Sequence, residues 1–483
     1  MGLDLGTQSV RAVVADSSGE VAGVASHPLR GHRDGGRHEQ DPELWWQATA
    51  SACLEALSGV DPEAIGAVAC DSTSGTIVVL GSDGRPVTPG LMYDDARAGV
   101  QAERANLAGE DLWFSLGYKM GSSWGLPKLL WVLGHSDPLP DGATVAHQAD
   151  IVNRRLIGAA VATDSSHALK SGYDLLHDRW PHDVLDALEI PAAMLPEVVR
   201  PGRVLGKVCA LGAQATGLAP GTPVVAGMTD GCAAQISAGT LEPGSWNSTL
   251  GTTLVLKGVT RELVRDPAGV VYSHRSPTGD WLPGGASSVG AGVLSERFPE
   301  RDLRELDARA QEREPATTVA YPLTATGERF PFRAERAEGF ELGSGRDEAD
   351  SYAALLQGVA FVERLCFDYI DRLGAPVQGP VRLTGGATRS RYWCQLRADV
   401  LQREVIVAQQ SEPAFGMAIL ASVLERPLGA AAQRMVRLGE EIEPRADHAE
   451  RLVAPYCRLV DELERRGWLD GELASYSRAR ARL

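Results

Sequence analysis

Apolar positions near the start of the chain come in short runs separated by small polar residues. Residues 2–5 are mostly apolar, 10–15 and 21–25 alternate or run apolar, and Gly6-Thr7-Gln8-Ser9 and Ser17-Ser18-Gly19-Glu20 fall between them. This pattern predicts an antiparallel meander opening on a hairpin. Asp41-Pro42 predicts a helix start, with Asp as cap and Pro in the first helical position. Leu44, Trp45, Ala48, Ala52 and Leu57 would share one side of that helix, with Trp45 and Trp46 in the core. Apolar strands are expected at 65–70 and 76–80, the first ending in Cys70-Asp71-Ser72-Thr73-Ser74-Gly75-Thr76. A strand at 145–147 leads into a helix over 150–157. The polar stretch 163–173 reads either as the lining of a cleft or as a surface loop.

The second half repeats some of this pattern. A strand at 223–226 runs into Gly227-Met228-Thr229-Asp230-Gly231 and a helix of small residues over 232–238. From Trp246, Asn-Ser-Thr-Leu-Gly-Thr-Thr-Leu-Val-Leu is a second Gly-Thr hairpin. Two similar hairpins, one in each half, suggest two related domains, 1–243 and 244–483, with a phosphate between them and the turn-rich 239–244 as hinge. A strand from Trp281 leads into small residues through Gly292, and 352–373 is an amphipathic helix with Leu355, Val359, Val362 and Cys366 on one face. A strand at 381–384, a tight Gly385-Gly386-Ala387 turn and a helix over 390–401 follow, then a strand at 404–408 and a helix from 411. The charged tail 462–482 reads as a solvated helix.

Composition narrows the classes. The 483 residues are 44% hydrophobic and 23% charged, enough for two cores of a couple of hundred residues each. A net charge of −16 argues against nucleic acid or an anionic membrane as main partner, so an anionic ligand needs a local, prearranged site. The seven cysteines have no paired or zinc-like spacing and read as reduced thiols, which points to the cytoplasm. No run approaches the roughly eighteen apolar residues of a membrane span. Met1 directly precedes Gly2, so the first strand either begins upstream or has a weak edge.

Candidate chemistry concentrates at the loops. Gly6, Thr7 and Ser9 can converge backbone N–H groups on an anion while Asp4 holds a cation beside it, although such a hairpin also serves as a plain turn. Asp71 to Ser74 sit where open α/β sheets place ligands, or else provide Asx and Ser/Thr turn chemistry. Residues 201–207 approach a phosphate-binding P-loop pattern, but the first glycine is one position too close and Val208 stands where Ser or Thr is needed, so that reading is rejected.

Four motifs in order, GLDLGTQSVRA, GMTDGCAA, NSTLGTTLVL and TGGATRSRYWCQLRADVLQREV, make the chain resemble the FGGY family of carbohydrate kinases over nearly its whole length. The resemblance implies an α/β fold of two actin-like, ribonuclease H-like domains, each a mixed sheet flanked by helices, with the active site in the cleft between them. It implies ATP and Mg²⁺ as cofactors, small-molecule partners only, and a monomer or homodimer. Asp230 would be the general base, and Asp4 with Asp230 would hold the metal. Asp71, Ser74, Arg11 and Asp230 would meet the sugar. Gly6, Thr7, Gly251, Thr252, Gly285, Gly385, Gly386, Ala387 and Ser390 would hold ATP, Ala387 standing where many relatives have a third glycine. Xylulose kinases usually carry a Gly-Gln-Met-His-Gly type segment where this chain has CDSTSGT. That segment, with HALKSGYD, GVVYSHR and TGERFPF, resembles D-ribulose kinases, so the expected product is D-ribulose 5-phosphate. D-xylulose, glycerol or another polyol is the alternative acceptor, and an actin- or chaperone-like ATPase the alternative class.

Overall fold

The computed structural model describes residues 1–135 and 137–482; Leu483, the end of the expected second domain, lies outside the described residues. The chain forms two units. The first comprises Met1–Gly239, His274–Trp281 and Gln410–Val436, and the second Thr240–Ser273, Leu282–Gln409 and Arg437–Leu483. Two short segments, His274–Trp281 and Gln410–Val436, cluster with the first unit although they lie beyond residue 243. The reason for the larger one is packing: Pro413–Ala421 is a helix of almost wholly buried apolar residues. It lies on the first unit's strands and on the helix Asp230–Ser237.

In the first unit a mixed sheet runs in the order Val204–Lys207, Pro223–Val225, Val68–Ser72, Gly2–Leu5, Ser9–Ala15, Val21–Pro28. The three middle contacts of the opening strand and its neighbours define it: Gly2–Leu5 pairs antiparallel with Ser9–Ala15 and parallel with Val68–Ser72, which is itself parallel to Pro223–Val225. The expected hairpin and meander are present, and the strand of residues 2–5 is central. Side chains alternate between faces. Leu3, Leu5, Val10, Ala12 and Val14 join a core with Trp45, Ala48 and Ala52 of the helix Pro42–Ala56. Asp41 caps that helix, accepting from the Glu43 N–H at 2.9 Å. Leu44, expected on its apolar side, is instead 39% exposed, while Trp45 is fully buried. Gly2 faces the other way, where a Cβ would lie 1.8 Å from the carbonyl oxygen of Ala414. Only glycine admits that helix, and Asp4, two residues on, shares the same face.

A seven-stranded sheet repeats the arrangement over six strands, Leu438–Ile442, Val405–Ala408, Val381–Thr384, Trp246–Leu250, Leu254–Gly258, Trp281–Ser287, with the same succession of parallel and antiparallel pairs, and adds Tyr272–Arg275 at its edge. Its core joins Trp246, Leu250, Leu254 and Leu256 to the 25-residue helix Glu348–Arg372. The charged tail is not a solvated helix. It forms Ala446–Arg465 and Gly471–Ala481, which bury Leu459, Leu463, Leu473, Ala474 and Ala481, because its apolar residues recur at helical spacing between the charges. Among the described residues all seven cysteines are free, and no helix is long and apolar enough to cross a membrane.

Candidate functional site

In the first unit, parallel pairing puts Asp4 directly beside Asp71, and Leu5 beside Ser72. Asp71 is fully buried, yet no amide, hydroxyl or ammonium donor reaches either of its oxygens. Burial, then the charges of Asp4 and Asp230, hold its carboxyl well above the usual range. Burial likewise pushes Asp4 up to about 7, with Asp230 and Glu412 adding to the rise. Asp230 opens the helix Asp230–Ser237, and the Gly231 N–H donates to its Oδ1 at 2.7 Å. The strand ends that carry Asp71 and Asp230 meet at a Ser72–Thr229 bridge. Three carboxylates from three parts of the chain thus converge where uncompensated charge is costly. Carboxylate oxygens are the ligands a hard divalent cation takes, but the ligand atoms of these three do not close to within 4.8 Å of one another; among the described residues only Glu314, Asp399 and His448 do.

The phosphate-loop candidates lie at the end of the same strand. The Gly6 N–H closes the turn on the Ser9 carbonyl at 3.0 Å. Thr7 is held through its backbone: Gln40 Nε2 donates to the Thr7 carbonyl at 2.7 Å, and Trp45 Nε1 donates to Gln40 Oε1 at 2.7 Å. Arg11 lies opposite Asp4 across the hairpin, and its guanidinium Nη1 is paired with Glu412. Ser74 sits in a tight loop in which Thr73 Oγ1 contacts Thr76 Oγ1 at 2.5 Å and donates to Gln148 Oε1 at 2.8 Å. Its own hydroxyl is buried without a partner.

In the second unit the equivalent hairpin carries Gly251 and Thr252. The Ala291 N–H donates to the Gly251 carbonyl at 2.8 Å and the Gly292 N–H to that of Thr252 at 3.2 Å. Gly385 adopts a left-handed φ of 89° hard against the Leu250 carbonyl, which joins this turn to the hairpin. Gly386 has open space where a side chain would be. The Ala387 methyl packs into the core, so it does not crowd that space. Ser390 caps the helix Arg391–Leu401, accepting from the Trp393 N–H at 3.0 Å. Gly285 falls within the strand Trp281–Ser287, and the Phe330 ring occupies the place of its side chain. Its glycine therefore has a packing cause, and the structure does not bring it to the loop surface. Residues 201–207 form a turn and an edge strand, as rejection of the P-loop reading required.

Sequence reasoning missed Gln40, Gln148, Glu412 and the fully buried Arg397–Glu363 pair. Arg397 Nε donates to Glu363 at 2.7 Å, and its terminal nitrogen to Ser248 Oγ at 2.9 Å. That pair fastens the helix after the glycine turn to the second hairpin. A charged residue on the largely apolar buried face of each helix was the local signal available.

Comparison with known proteins agrees with this geometry. Residues 1–237 match the FGGY family of carbohydrate kinases, N-terminal domain, and 246–425 its C-terminal domain. A xylulose kinase of Streptomyces rubiginosus is 29% identical over 483 aligned residues, covering 96% of this chain and 97% of that one. A xylulose kinase of Bacillus subtilis is 26% identical, covering 93% and 94%. The crystal structure of xylulose kinase from Rhodospirillum rubrum superposes with a TM-score of 0.85 at 27% identity, covering 96% and 98%.

Proposed function

The chain belongs to the FGGY family of carbohydrate kinases and is an ATP-dependent sugar kinase; from that premise we propose that its acceptor is a ketopentose, with D-xylulose the first reading. The relatives described as xylulose kinases support D-xylulose and move weight away from the expected D-ribulose. D-ribulose is the second reading, because Asp71-Ser72-Thr73-Ser74-Gly75 stands in place of the segment usual in xylulose kinases.

The observation that carries the mechanism is the grouping of Asp4, Asp71 and Asp230, with Asp71 reached by no group other than the Asp4 carboxyl. Phosphoryl transfer proceeds through a loose transition state, so the protein contributes positioning, charge neutralisation and one base. Asp230 accepts the proton of the attacking sugar hydroxyl. Asp4 and Asp230, with Asp71 beside them, would hold Mg²⁺, which would screen the charge of the transferring phosphate. Thr7 of the first hairpin and Thr252 of the second bind phosphate on turns that the Gly6 and Gly251 N–H groups close onto the Ser9 and Thr253 carbonyls, and Gly385 and Gly386 admit the adenosine. Ser74 offers its unpartnered hydroxyl to the sugar.

Sugar-dependent ADP release measured with D-xylulose, D-ribulose, L-ribulose, ribitol and glycerol tests the reading. The expected result is the highest kcat/KM with D-xylulose. A clear preference for D-ribulose reinstates the second reading, one for glycerol moves the acceptor outside the ketoses, and ATP hydrolysis indifferent to every acceptor overturns the kinase reading.

A further inference from the structure

The stretch 163–171, irregular by sequence, is one of the most buried polar segments of the first unit. Asp164, Ser165, Ser166, His167 and Ser171 are each less than 5% exposed. Thr163–Asp164 pairs with Val198–Val199, and Asp164 caps the single helical turn Ser165–Ala168 by accepting from the Ser166 and His167 N–H groups, each at 2.9 Å. Its second oxygen fixes the His167 ring through Nδ1 at 2.6 Å.

What this rigid turn reaches is specific. The Thr229 N–H donates to Ser166 Oγ at 3.2 Å, and His274 Nδ1 holds the same hydroxyl at 3.0 Å. His167 Nε2 meets Ser72 Oγ at 2.8 Å. Lys170 Nζ donates to the Ser74 carbonyl at 3.2 Å. These three contacts land beside Asp230, beside Asp71 and on Ser74 itself. Side chains within five residues of one another therefore register the base, its neighbouring carboxylate and the sugar loop against a common frame.

We propose that Ser166 and Lys170 are positioning residues for phosphoryl transfer, Ser166 aiming Asp230 through Thr229 and Lys170 shaping the sugar loop at Ser74, with His167 joining the two through Ser72. The proposal rests on the kinase reading above. A misplacement of reacting groups by about 1 Å costs up to about a hundredfold in rate, so loss of one such tie is expected to cost about tenfold.

The test is steady-state kinetics on the full chain with the best acceptor of the five. Ser166→Ala lowers kcat about tenfold and leaves sugar KM within about twofold, since the base is displaced while the sugar loop is not. Lys170→Met raises sugar KM about tenfold with kcat within about twofold. Ser166→Thr, which keeps the hydroxyl, recovers kcat. His167→Gln, which retains a hydrogen-bonding partner for Ser72, is milder than His167→Leu. A purely structural turn would move kcat and KM together in both variants, or neither, and either result overturns the proposal. A Ser166→Thr enzyme as slow as Ser166→Ala also overturns it. Absence of sugar-dependent ADP release in the wild type removes the kinase reading and this proposal with it, whereas an active wild type with unchanged variants removes the positioning role alone.

Discussion

The two hairpins occupy the same place in sheets of the same strand order, yet their equivalent strand ends carry opposite chemistry. In the first unit Asp4 stands beside Asp71; in the second, the residues in register are Thr249 and Thr384, whose hydroxyls hydrogen-bond at 2.8 Å. One pair is two buried carboxyls whose hydrogen-bond partner is each other, and the other is two neutral hydroxyls. In the second unit Arg397 and Glu363 are just as buried but carry opposite charges and pair, leaving only Arg397 Nη1 without a partner. The repeated scaffold therefore places buried acids at one strand end and neutral hydroxyls at its counterpart.

Four experiments sharpen or break that contrast, taken in descending order of effect. Arg397→Met leaves the Glu363 carboxylate buried and unpaired, and is expected to cost about 3–5 kcal/mol in denaturant unfolding. A loss under 1 kcal/mol would show that this charge is not the fastening of the second hairpin. Asp230→Ala is expected to fold normally and lose sugar-dependent ADP release by about 10² or more. Turnover near wild type would take the base role from Asp230.

The third experiment concerns pH. Asp4 has an ordinary value of 3.8 and is raised to about 7 in the folded chain, so between those limits the native state binds more protons than the unfolded one. Stability of the metal-free protein therefore falls as pH rises from about 4 to about 7, and this contribution is level above that. The descent is expected to be shallower in Asp4→Asn and to be offset by added Mg²⁺, as read from melting temperatures. Identical slopes in wild type and Asp4→Asn would break the assignment. Last, Asp71→Asn and Thr384→Val change equivalent positions. The first relieves repulsion and is expected to stabilise by about 1 kcal/mol while lowering kcat, and the second to destabilise by about 1 kcal/mol with kcat little changed. Equal signs for both stability changes would remove the distinction between the strand ends.

Much of this was legible in the chain because it is local. Gly6-Thr7 and Gly251-Thr252 lie between apolar runs of strand period, Asp41-Pro42 announces its helix, and Gly385-Gly386 follows a strand and precedes a helix, so hairpins, cap and turn could be read from neighbours in sequence. What stayed hidden depends on distant partners. Ser166 has meaning only beside Thr229 and His274, Gln40 only under Thr7, and Arg11 takes an ion-pair partner only because Glu412 arrives late in the chain. Leu44 failed for a milder reason: at its place on the helix the helical period allows either a core-facing or a rim position, and Trp45 took the core. The tail 462–482 was misread because its charge density masked a regular apolar stripe.

The helix Pro413–Ala421 also bears on biosynthesis. It covers the face of the opening strand at Gly2, yet about 400 residues separate the two, roughly 20–80 s of translation at about 5–20 residues per second. The first unit thus waits with one face of its central sheet uncovered until most of the protein has been made. Residues 1–239 synthesised alone would keep that face open, so such a fragment is a substrate for chaperones or aggregation rather than an independent domain.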